Sequence, residues 1–129
     1  MRCLAPLPIL LCALGAPVTA HEVPSGQDVG LEEVLVEEAG GETLLRFRFV
    51  APAIARESRA LGPDQALPDL DHLCTSVALP YLAEHDLTAA RMVLSLADRP
   101  SAFGVADAEI TRFFEAYRPS GGNCIWEGL

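Results

Sequence analysis

The sequence predicts a small α+β domain: a mostly antiparallel sheet with one main helix packed on it, closed by a single disulfide. Three observations carry this. Gly40-Gly41 separates two β-prone runs, Leu31 to Glu38 and Glu42 to Val50, which is the pattern of a tight hairpin. Downstream of Pro68, the residues Leu70, Leu73, Cys74, Val77 and Tyr81 recur at helical spacing. Cys74 and Cys124 are the two cysteines that remain once the first twenty residues are set aside.

Those first twenty residues read as a cleavable signal peptide. Met1-Arg2 is followed by an uncharged run from Cys3 to Val18 with an apolar centre of Leu7, Ile9, Leu10, Leu11 and Leu14. Pro6, Pro8, Gly15 and Pro17 interrupt the run, and a spanning helix needs about 20 apolar residues, so cleavage is expected rather than anchoring. Val18-Thr19-Ala20 suits a signal peptidase and makes His21 the first mature residue. Cys12 follows Ile9-Leu10-Leu11 without the small residue that lipoprotein processing prefers, which argues against lipidation. The expected organisation is therefore residues 1–20 as signal and 21–129 as one exported domain, periplasmic or secreted, with no membrane span after cleavage.

Charge narrows the partners. All nine basic residues are Arg; removing Arg2 leaves eight against 18 acids, a net charge of −10. Such a domain repels phosphate backbones, so no nucleic-acid partner is expected. In an oxidising compartment Cys74 and Cys124 should pair, and in the chain-entropy picture closing a loop of this length stabilises the fold by ~4 kcal/mol.

The elements follow in order. Residues 21–30 form a polar leader with Pro24, Ser25 and Gly26. With Gly40-Gly41 as the turn, Val36 faces Leu45, Val34 faces Phe47 and Glu32 faces Phe49, which leaves one apolar face. Glu33 faces Arg48 on the other side, where Arg46 lies between Glu33 and Glu37 in a solvated ladder. Residues 51–67 lack a clear period and read as a loop. With Arg56, Glu57 and Arg59 it is the first place to look for a binding surface. Pro68 at the first helical position, with Asp69 and Asp71 in the first turn, starts the helix, and Pro80 kinks or restarts it. Arg91 to Ala97 alternates as a strand. The last thirty residues admit a helix through Ile110, Phe113, Phe114 and Tyr117, or a hairpin turning near Pro119-Ser120-Gly121-Gly122. The hairpin is preferred: it sets Tyr117 opposite Cys124, with Phe113 and Trp126 on the same face.

Candidate chemistry is sparse. His21, as a mature N-terminus, could chelate copper with help from His72 or His85, a minor alternative. His72 lies near Asp69, Asp71 and Cys74, but without zinc-ligand spacing. No serine sits in a nucleophile-elbow context. Glu115, between aromatics, is the acid expected to be partly buried, paired with Arg112 or Arg118. No catalytic, cofactor or metal residue is assigned, and no cofactor is expected; Cys74 and Cys124 are the disulfide.

Several segments together resemble a family of short, exported alphaproteobacterial proteins of unknown function. They are Arg46 to Ile54, His72-Leu73-Cys74, Asp98-Arg99-Pro100 with Phe103-Gly104, Phe113 to Arg118, and Cys124 to Glu127. The resemblance covers most of residues 21–129 and implies a bacterial origin, export and the Cys74 to Cys124 bond, but no activity. The expected function is a non-enzymatic module that binds a protein partner or a cell-envelope component. The alternative is a small envelope hydrolase using Glu115 or His72.

Overall fold

A computed structural model of the chain describes residues 20–58 and 60–128. Residues 1–19, which hold all but the last residue of the expected signal peptide, Arg59 and Leu129 lie outside the described residues. Five strands form one sheet in the order β1 (Gly30–Ala39), β2 (Glu42–Val50), β3 (Arg91–Ala97), β4 (Arg112–Ser120) and β5 (Asn123–Gly128). Three of the four pairings are antiparallel. β2 and β3 are parallel, because the helical segment between them returns the chain to the starting end of the sheet. Both hairpins turn on glycine pairs with positive φ, 60° and 79° at Gly40-Gly41 and 56° and 81° at Gly121-Gly122, the conformation a two-residue turn requires.

The helix starts earlier than the sequence suggested. α1 spans Pro63–Leu73, with Gly62 as N-cap and the Gly62 N–H donating to Gln65 Oε1 at 3.0 Å. Pro68 is therefore inside the helix; its missing N–H leaves the Asp64 carbonyl without a helical donor, and both residues are exposed, so water can replace the bond. Pro80 acts as expected. Ahead of it the helix widens into a π segment, Cys74–Ala78, where the Leu79 N–H reaches the Cys74 carbonyl, and α2 (Leu79–Glu84) then continues. The 51–67 loop shrinks accordingly to a single 3₁₀ turn, Pro52–Ile54, and a short connection.

Alternation along the strands gives the sheet two unlike faces. Toward the helix point Leu45, Phe47 and Phe49 of β2, Met92, Leu94 and Leu96 of β3, and Tyr117 of β4, all buried against Leu70, Leu73 and Ala78. The Cys74–Cys124 disulfide, across 50 residues, ties the π segment to β5.

Two registers differ from expectation. A bulge between Leu31 and Glu33 sets Leu31, not Glu32, against Phe49, so the core gains an apolar partner and the carboxylate is displaced. The C-terminal segment is the hairpin, but its turn is only Gly121-Gly122, so Cys124 faces Pro119 and Tyr117 faces Trp126. The shift is two residues, which keeps every side chain on the face assigned to it.

The sequence places Asp69 as a first-turn acid facing the helix dipole, but the structure gives it another role. It is fully buried, and it accepts the Ser25 N–H at 2.9 Å, the Ser25 hydroxyl at 2.5 Å and Gln27 Nε2 at 2.7 Å. These bonds satisfy a buried carboxylate with neutral donors and clamp the leader to α1.

Candidate functional site

The face away from the helix carries the other half of each strand: Leu44, Arg46 and Arg48 from β2, Arg91, Val93 and Ser95 from β3, Arg112 and Phe114 from β4. Across the sheet Arg46 lies beside Val93, Arg48 beside Ser95, and Ser95 beside Phe114. The smaller central residues, flanked by longer ones, make the face concave. The hollow holds about 490 Å³, within the roughly 300–1,000 Å³ of small-ligand sites.

One wall is a strap, residues 98–111, pinned across this face. At its start the Asp98 N–H donates to the Thr111 carbonyl at 3.0 Å, and the Asp98 carboxylate accepts two N–H groups of Arg99 at 3.0 and 3.1 Å. Chiefly through that hydrogen bond, Arg99 holds the Asp98 carboxyl below its ordinary 3.8. Ser101 is the central fastening. Its N–H donates to the bulged Glu32 at 3.3 Å, its carbonyl accepts Arg48 at 3.1 Å, and its hydroxyl accepts Arg48 at 3.3 Å and Arg112 at 3.1 Å. Phe103 then lies over the guanidinium groups of Arg46 and Arg48, 5.2 and 5.5 Å from ring centre to carbon, within cation–π range.

The expected Arg–Glu ladder exists, but only partly in solvent. Arg46 pairs with Glu37 at 2.9 Å, and Arg48 pairs with Glu33. Arg48 is only 5% exposed, because the strap covers it. Arg91 shares Glu127 with Arg118 at 3.1 and 3.2 Å. Among the described residues Arg112 has no carboxylate partner.

The other candidates scatter. Arg56, in the segment first suspected of binding, donates to the Ala108 carbonyl at 3.3 Å and so braces the strap; Glu57 is exposed. Glu115 is half-buried as expected, but its partner is the Trp126 indole N–H at 2.6 Å, since Arg112 and Arg118 are drawn to Ser101 and Glu127. It lines a second hollow of about 460 Å³ with Leu67, Phe113 and Trp126, beside the part of β4 that β5 does not reach. His72 is exposed and lines neither hollow. His85 stacks on Tyr81 at 4.0 Å, and its Nδ1 lies 3.0 Å from the Tyr81 carbonyl. His21 donates its backbone N–H to Val29 and meets Phe49 edge-on at 6.1 Å. Among the described residues no three His, Cys, Asp or Glu side chains converge to hold a metal, and no helix is long and apolar enough to cross a membrane.

Tyr117 donates to Asp71 at 2.6 Å; burial, reinforced by that bond, pushes its phenol up, so it stays protonated and serves as a fixed structural donor.

Over residues 9–129 the chain matches a family model described as family of unknown function (DUF6497). The chain belongs to DUF6497. No curated protein and no solved structure matches it. The sheet, the strap and the arginine face all fall within the span matched to DUF6497.

Proposed function

We propose that this DUF6497 protein is a non-enzymatic bacterial binding module. It is exported to the periplasm or beyond after cleavage at Ala20, and it engages a protein partner or a cell-envelope component through the open sheet face. One observation carries the reading. A chain of net charge −9 gathers four of its nine arginines on one concave surface, around an apolar floor and under an aromatic side chain. Three of them are partnered by acids of their own chain, and Arg112, which among the described residues has no carboxylate partner, is the cation this surface offers to an anionic group.

Among the described residues the hollow is lined by Ser95 but by no histidine or carboxylate to activate it, so its lining fits recognition better than hydrolysis. Glu115, the acid of the hydrolase alternative, is engaged by Trp126 in the other hollow.

Site-specific photocrosslinking in the native envelope tests the reading. A photoreactive residue replacing Phe103 should give a discrete adduct, and one replacing the exposed Ala83 of α2 should not. Equal labelling from both positions, or none from Phe103, overturns it.

A further inference from the structure

We infer that the hollow of the open face takes an amphipathic ligand with a single-charged anionic head group, a monocarboxylate in its simplest form. Arg112 holds the head, and the apolar part runs over Val93 toward Phe103 and Phe114. The inference rests on the open face being the binding face and adds what the face selects.

Charge pairing decides the head group. Of the four arginines lining the hollow, Arg46, Arg48 and Arg91 each have a carboxylate from their own chain, Glu37, Glu33 and Glu127. Arg46 and Arg48 are matched one to one, and Arg91 is held by Glu127, which it shares with Arg118 outside the hollow. Arg112 differs: among the described residues its side chain meets one acceptor, the neutral Ser101 hydroxyl at 3.1 Å. A guanidinium carries five N–H donors in a planar fork, so the edge needed for a two-pronged grip on a carboxylate remains available. Its position is also fixed, half-buried on β4 beside Ala97 of β3, with the Ser101 bond aiming it. Among the described residues Arg112 is the one arginine of the lining without a carboxylate contact, and a single anionic group completes it.

The rest of the lining decides the tail. Val93 is almost wholly buried in the floor, while Phe103 and Phe114 stand half-exposed at the rim, both 49% accessible. Leu44 and Val105 extend the apolar surface. Exposed aromatics on both sides of an apolar floor lose water when a hydrocarbon or aromatic group enters, and each Å² of apolar area removed from water is favourable. A strongly polar ligand would gain none of that and would have to share Arg112 alone.

Octanoate and octanamide, which match in shape and differ in head charge, test this on the mature chain by amide shift mapping. Octanoate should produce saturable shifts at residues 93–95 and 101–105 and bind at least tenfold more tightly than octanamide. Arg112→Met should reduce octanoate to the affinity of octanamide, and Arg112→Lys should keep most of the preference. His72→Ala, on an exposed residue outside the hollow, should change neither. A well-dispersed spectrum for each variant establishes that it is folded. Equal binding of the two probes overturns the head-group assignment and leaves the open face as a binding face. Absence of shifts from either probe overturns the ligand class altogether, and a Phe103 adduct in the envelope would then show that the face itself still binds.

Discussion

The two faces of one sheet are built from alternate residues of the same strands, yet they are finished in opposite ways. On the helix side Phe47, Leu94 and Tyr117 are buried under α1 and the π segment, and a covalent bond from Cys74 to Cys124 locks the cover in place. On the open side the cover is a strap without regular structure, fastened by hydrogen bonds to Ser101, a stacked Phe103 and the Asp98–Arg99 pair. The first face is stabilised by dispersion and water release and has little room to change. The second is held by polar contacts of small net energy, so local opening of the strap should leave the first intact.

The largest effect that would break this contrast concerns the covalent lock. Replacing both cysteines, Cys74→Ala with Cys124→Ala, should cost about 4 kcal/mol from the released loop entropy, read as a fall in the urea midpoint of the mature protein. A loss below about 1 kcal/mol would mean that the helix is held by packing alone. Neighbouring residues of β3 give the sharper comparison. Leu94→Ala, on the sealed face, should cost about 3 kcal/mol as a cavity among fully buried neighbours. Val93→Ala, on the open face, should cost only about 1.5 kcal/mol, because it removes two methyl groups from the floor of a hollow that already exists. Equal losses at the two positions would show that the strap seals its face as firmly as the helix does.

How far these faces can be read from the sequence differs in the same way. The sealed face is legible: period and spacing assign Val34, Leu45, Phe47 and Cys74 to it, and the glycine pairs locate both turns, whereas Val36, on the same side of β1, is 52% exposed and stays outside the core. Errors arose where tertiary packing chose between neighbours. The bulge that exchanges Glu32 for Leu31 serves Phe49 on the adjacent strand, which no local pattern records. Pro63 and Pro68 are both acceptable helix starts, and the Gly62–Gln65 cap decides between them. Asp69 looks like a dipole-facing acid until Ser25 and Gln27, 44 and 42 residues earlier, are brought against it. The open face was half legible: Arg46, Arg48 and their acids were placed on it, but the strap was not. Ser101 joins residues 69, 53 and 11 positions away, and nothing in Pro100-Ser101-Ala102 announces those partners.

The smallest expected effect concerns the hinge of the strap. Asp98 is almost wholly buried and Arg99 lies partly exposed beside it, so the carboxylate depends chiefly on that guanidinium, with the Thr111 backbone and the Arg56 charge adding to it. Because its carboxyl sits below 3.8 in the folded protein, the unfolded chain binds its proton more readily. Its contribution is therefore fully present above the unfolded value and is lost as pH falls through the folded one. Asp98→Asn should accordingly lower stability by a constant amount from pH 7 down to about 5, and the gap to the parent should close below about pH 4. Urea titrations of both proteins at pH 7, 5, 4 and 3 read this directly. Amide exchange at pH 7 locates it: faster exchange in residues 98–111 with β2 and β3 unchanged would confine the loss to the strap. Faster exchange at Phe47 and Leu94 as well would mean that the two faces unfold as one unit, and the open face would then owe its shape to the same packing as the core.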